Sequence, residues 1–256
     1  MHNPKFTEGT RSFFALLIIS LLFCAPNALA KSLSRTALYL GSPELRSSYP
    51  EDPWYRLPSD LDSDRPGCNY LNDVAADGLY CWPRAHLPVK VFFQSGVGVP
   101  GFKDSYKNIL IDSFDEWVQA SEGKLAWLEV PTPQEADVVC RWSNQVREGA
   151  AGAEAGRTKT FASLNTLTNH GIIHRGEMTL LTRLPERAFS EEEVRKSYLH
   201  EVGHVFGIAG HSSNHRDIMY YSITGMRQSH LSERDKATIN HLYCDYSALN
   251  VGVKVR

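Results

Sequence analysis

His200-Glu201-Val202-Gly203-His204-Val205-Phe206-Gly207-Ile208-Ala209-Gly210-His211 is the stretch that decides how the rest of the chain is read. Two histidines four residues apart on a helix face the same side, one turn or about 5.4 Å apart. That spacing lets both imidazoles hold one metal ion. Glu201 stands beside the first of them, where a carboxylate can reach a water on the metal. Gly207 predicts the end of the helix through a left-handed residue, and the turn beyond it returns His211 as a third nitrogen. Three imidazoles, one open coordination position and an unligated glutamate are the parts of a site for metal-assisted hydrolysis, with zinc the metal that suits them. Short His-Glu-x-x-His runs also arise by chance in unrelated helices. Here the helix stop, the further histidine and the following Asp217-Ile218-Met219-Tyr220 argue against chance. His86, His230 and His241 stand alone and read as surface or packed imidazoles.

Upstream of this stretch, Ser190 with Glu193 three residues on predicts a capping box at the start of the histidine helix. Downstream, Ser232 with Asp235 predicts the opening of a final helix in the same way. Val89, Val91 and Phe93 alternate with Lys90 and Phe92 and predict a strand. A helix capped by Asp104 or Ser105 follows, with Tyr106, Ile109, Leu110, Phe114, Trp117 and Val118 at helical spacing. Strands are expected at 125–130, 136–142 and 177–182, and the Gly/Ala-rich residues 149–156 read as a surface loop. Intermingled strands and helices predict an α+β fold, a twisted mixed sheet packed on helices.

The histidine stretch resembles the zinc signature of the metzincin metallopeptidases, most closely the matrixin-like branch. Met219 in Ile218-Met219-Tyr220 matches the methionine turn that lies beneath the metal in that clan. Glu177-Met178-Thr179-Leu180-Leu181-Thr182 is similar to the strand before the zinc helix, and Leu231-Ser232-Glu233-Arg234-Asp235 to the start of the last helix. The clan's third histidine stands three residues after the glycine, a position held here by Gly210. His211, one residue later, is kept as the ligand, with His215 as the alternative.

The resemblance implies a zinc endopeptidase. His200, His204 and His211 would hold the metal, Glu201 would be the general base, Met219 a structural floor, and Tyr220 and Tyr221 walls of a substrate pocket. Peptide substrates would add as a strand along residues 177–182. His170 and His174 could hold a second zinc, although a solvated loop is the plainer reading. Calcium is common in the family, yet no acidic loop shows a site for it. Two other readings remain: a non-catalytic binding module that keeps the fold, against which the intact Glu201 argues, and a different zinc peptidase clan with Glu233 as third ligand.

The chain has 256 residues, 42% of them hydrophobic, and a net charge of -2, enough for one domain with extra segments. No basic run points to nucleic acid. Lys5 and Arg11 precede an apolar run from Phe13 to Cys24, and Ala28-Leu29-Ala30 supplies the small residues that a signal peptidase reads. This predicts a secretory signal over residues 1–30, too short for a comfortable membrane span, and hence a secreted or periplasmic protein with no stable membrane insertion after cleavage. An uncleaved anchor is the competing reading.

Prolines and acids crowd residues 31–81, which read as an extended segment or short propeptide, followed by a catalytic domain over 82–247, a tail over 248–256 and a monomeric state. Cys68, Cys81, Cys140 and Cys244 allow three disulfide pairings, of which Cys68–Cys81 with Cys140–Cys244 is favoured. In matrixin-like zymogens a propeptide cysteine caps the zinc, but Arg65-Pro66-Gly67-Cys68 lacks the full sequence for that role.

Overall fold

The alternation around Val91 becomes a strand whose burial alternates in step, Val89, Val91 and Phe93 facing the core. The computed structural model describes residues 11–20, 68–75, 78–145, 148–149, 152–223 and 225–249, with 11–20, 148–149, 152–154 and 244–249 described as backbone only. In chain order the elements are β1 (Arg11–Ser20), α1 (Leu71–Val74), β2 (Leu79–Cys81), a 3-10 turn (Arg84–His86), β3 (Val89–Phe93) and α2 (Asp104–Ala120). Then come β4 (Trp127–Glu129), β5 (Val138–Ser143), β6 (Glu148–Gly149), β7 (Gly152–Asn165), β8 (His170–Leu181), α3 (Glu191–Val205) and α4 (Glu233–Leu249).

The strands form one mixed sheet in the order β1-β7-β8-β5-β3-β4, with β2 beside β8 and β6 beside β7. The pairs β3–β4, β3–β5, β5–β8 and β2–β8 are parallel, whereas β7 runs antiparallel to both β8 and β1. This is the α+β architecture expected from the sequence. Helix α2 joins α3 through Trp117, whose Nε1 donates to Leu199 O at 2.8 Å, and through Phe114, whose ring meets Phe206 edge-on at 5.7 Å. Trp117 has no exposed surface, and removing so large a ring from a packed core costs about 3–5 kcal/mol.

Four local expectations are corrected. Residues 152–156, read as loop, belong to β7, which pairs with β8 from Gly156 to Asn165. The sequence hid this strand because its inward row is Gly156, Thr158, Thr160 and Ala162, while Lys159 and Phe161 face outward. His170 and His174 lie in strand β8, where four residues span about 13 Å, so they cannot share one ion. Instead, His174 Nε2 bonds Ser163 Oγ at 2.7 Å and His170 Nδ1 donates to Thr168 O at 2.7 Å. The N-cap of α2 is Lys103, with no side-chain cap bond, and Asp104 sits inside the first turn, where its charge suits the helix dipole. Finally, Cys68, Cys81 and Cys140 form no disulfide with one another, which removes the expected Cys68–Cys81 bridge; the side chain of Cys244 lies outside the described residues.

Residues 70–74 and 80–81 pack into the same core as the rest. Tyr70, Leu71, Val74, Tyr80 and Cys81 are buried, and β2 pairs with residues 170–172 of β8. Residues 11–20, the apolar part of the expected signal, lie as β1 along the outer edge of β7. No helix among the described residues is long and apolar enough to cross a membrane.

Candidate metal centre

Helix α3 carries the histidines and is fixed at both ends. At its start Ser190 Oγ accepts from Glu193 N at 3.2 Å, and the Glu193 carboxylate accepts from Ser190 N at 2.8 Å, the reciprocal box read from the sequence. Arg187 grips the same carboxylate at 2.5 and 2.8 Å, and this bond is the main cause that lowers Glu193 to about 2. At the far end Gly207 takes φ 101°. Ile208 N then donates to Gly203 O and Gly207 N to His204 O, both at 3.1 Å, which closes a Schellman motif. The last carbonyls find distant donors, Trp82 Nε1 on Val205 O and Tyr243 Oη on Phe206 O, both at 2.9 Å.

His200, His204 and His211 each offer a ligand atom, and these atoms lie within 4.8 Å of one another. His200 Nδ1 is 2.7 Å from Ile218 O, and His204 Nδ1 is 2.5 Å from Ile208 O. A carbonyl can only accept, so both Nδ1 atoms carry the hydrogen. Burial pushes all three imidazoles toward the neutral form: His200 well below its ordinary value, His204 down to about 3 and His211 down to about 4. A neutral ring protonated at Nδ1 has a bare lone pair at Nε2. The Nε2 atoms of His200 and His204 therefore face each other as acceptors at 3.0 Å, and His211 Nε2 is buried with no hydrogen-bond partner. Such a donor set fits a divalent metal ion and little else.

The extra residue before His211 does not remove it from the cluster; its ring stands 5.1 Å from that of His200 and 5.2 Å from that of His204. His215 lies outside the group and meets Tyr220 edge-on at 6.4 Å. Glu233, the third ligand of the rival clan, is on the exposed side of α4, paired with Lys236 at 2.7 Å.

Met219 is fully buried beneath α3. A Cβ on Gly203 would stand 2.4 Å from its sulfur, so the turn approaches the helix where no side chain intervenes. Ser212 N donates to Met219 O at 2.7 Å and ties this turn to the segment bearing His211. The rings of Tyr220 and Tyr221 meet at 4.3 Å, tilted by 44°, and both are half-buried beside it.

Glu201 is fully buried on the side of α3 that faces β7. Thr158 Oγ1 donates to Glu201 Oε2 at 2.6 Å and lies 3.1 Å from Glu201 O. Gly156 is equally close, since a Cβ there would meet Glu201 Cγ at 2.6 Å. Neither residue was singled out in the sequence, because β7 itself was not. The strand expected to border the site, 177–182, has its main chain bonded on both sides by β5 and β7. Strand β7 is the one that borders Glu201, which corrects the expected cleft edge.

With this geometry in place, comparison with known families is informative. The model of the matrixin family matches residues 100–244, more than half of the chain, and the protein belongs to that family. This sets it among the zinc metallopeptidases, and the family implies zinc for the histidine triad. No match is found among curated proteins.

Proposed function

We propose that the chain is a secreted, monomeric zinc endopeptidase that hydrolyses peptide bonds in proteins. One observation carries this reading: ligand atoms of His200, His204 and His211 lie within 4.8 Å of one another, with the buried carboxylate of Glu201 on the same helix, and one chain completes the set. His200, His204 and His211 hold the ion. Bound there, zinc supplies Lewis acidity toward a peptide carbonyl and eases proton loss from water. Glu201 takes the proton of the attacking water and passes it to the leaving amine. The Thr158 hydroxyl fixes the carboxylate by holding Oε2, and Met219 supports the two helical histidines from below. The pair Tyr220 and Tyr221 walls a side-chain pocket. A peptide adds antiparallel to the outer edge of β7, held by main-chain hydrogen bonds.

In this reading, residues 1–30 form an export signal, and cleavage after Ala30 removes β1 and frees that edge. The catalytic unit includes residues from Tyr70 on rather than starting at residue 82, because Tyr70, Val74 and Tyr80 are core residues. The test is direct. Purified protein is expected to carry one zinc per chain and to cleave casein, with cleavage abolished by a chelator and restored by zinc. Glu201→Ala should keep the metal and lose activity by about 10²–10⁴-fold. A variant that retains zinc and cleaves like the wild type would remove Glu201 from the mechanism. A zinc-loaded wild type that cleaves nothing would leave the binding module as the better reading.

A further inference from the structure

Tyr70 lies outside the matched family region, has only 1% of its surface exposed, and points its hydroxyl at a fully buried carboxylate. Its hydroxyl donates to Asp235 Oδ1. Burial, then the charges of Asp235 and Asp217, raise its pKa well above the ordinary tyrosine value, so it stays a donor. The other oxygen of Asp235 accepts from Ile218 N at 2.9 Å and Ser232 N at 2.8 Å. Ile218 O in turn accepts from His200 Nδ1 at 2.7 Å. A path therefore runs from Tyr70 through Asp235 and the backbone of Ile218, whose N–H and C=O belong to successive peptide groups, to a histidine of the triad.

The surroundings of Tyr70 hold it in one place. Its N–H donates to Thr238 Oγ1 at 3.1 Å, and the Arg234 guanidinium lies over its ring at 5.5 Å. Arg234 Nε also donates to Asp217 Oδ2 at 3.1 Å, and Ser232 Oγ donates to Asp217 Oδ1 at 2.8 Å. The two buried carboxylates beside the Met219 turn, Asp217 before it and Asp235 on α4, are thus both anchored. The sole described contact on Asp235 Oδ1 is the hydroxyl of Tyr70.

We propose that Tyr70 is a positioning residue for the metal centre, acting through Asp235 and Ile218 on His200. Hydrogen-bond partners of ligating histidines set the ring's orientation and basicity, and their loss weakens metal binding about 10–100-fold. Tyr70 stands further out on the same path, so its loss sits at the lower end of that range. The inference rests on the triad being a zinc site.

The experiment measures the rate at which zinc leaves the loaded protein into excess chelator, together with kcat and KM, well below the melting temperature. Tyr70→Phe keeps the ring and deletes the donor. It is expected to release zinc about tenfold faster and to lower kcat with KM unchanged. Thr238→Val removes the acceptor of the Tyr70 N–H without touching Asp235. It is expected to lower the melting temperature while zinc release stays within about twofold of wild type. Asp235→Asn keeps an acceptor for Ile218 but turns an amide toward Tyr70, and it should also speed release. The double variant Tyr70→Phe with Asp235→Asn should be no worse than the worse single change, because both break one path.

Release from Tyr70→Phe at the wild-type rate overturns the proposal. So does release from Thr238→Val that is as fast as from Tyr70→Phe, since stability alone would then explain both. Should Tyr70→Phe not fold, Asp235→Asn decides, and an unchanged rate there overturns the proposal. A wild-type protein that retains no zinc instead defeats the function proposed above.

Discussion

The two ends of α3 are held by opposite means. Its start is closed by residues within six positions of one another, Arg187, Ser190 and Glu193, at the protein surface. Its end is closed by Gly207 and by side chains brought from far along the chain, Trp82 and Tyr243, in the interior. The first arrangement is local and helps start the helix. The second exists only once the fold is assembled, and it stands next to the metal centre. The difference teaches that the metal site depends on tertiary packing at the helix end far more than on the helix's own capping.

Substitution at each end tests this contrast. Gly207→Ala should have the largest effect. The residue sits at positive φ, and an added Cβ would stand 1.9 Å from Tyr80 O, a backbone atom with little freedom to move. A loss of about 3 kcal/mol or more in denaturant unfolding is expected, with weakened metal binding. A loss under about 1 kcal/mol would mean that the helix end is softer than its packing implies. Ser190→Ala should cost about 1 kcal/mol and leave metal affinity unchanged. If it instead lowers affinity, the two ends are coupled and the contrast fails.

The smallest effect is a dependence on pH. Glu193 is lowered to about 2 in the folded protein, chiefly by its bond to Arg187, from an ordinary value of 4.5. A carboxylate with a depressed folded pKa stabilises fully above its unfolded value and loses that contribution as pH falls through its folded value. The stability gap between wild type and Glu193→Gln should therefore be full above about pH 5 and close progressively toward pH 2. Parallel melting curves across that range would read it, and a constant gap would show that the charge plays no part.

Much of this was legible in the sequence, for reasons that vary from element to element. The caps of α3 and α4 are local, so Ser190 with Glu193, and Ser232 with Asp235, announce them. The convergence of His200 and His204 follows from helical pitch alone. Strand β7 was not legible. Its inward positions are small or polar because Glu201 and the backbone of α3 press against them, so burial leaves no hydrophobic alternation to read. Thr158 was lost with it. The role of residues 68–81 was masked by the prolines and acids around them, while Tyr70 finds Asp235 across a separation of 165 residues. No local pattern records such a contact.

The contact between Gly203 and Met219 has a consequence of its own. The sulfur occupies the volume that any larger residue would need, and Gly203 is the backbone link just before His204. Position 203 is therefore closed to every side chain: even a methyl group there would press the Met219 turn off the helix that carries both His200 and His204.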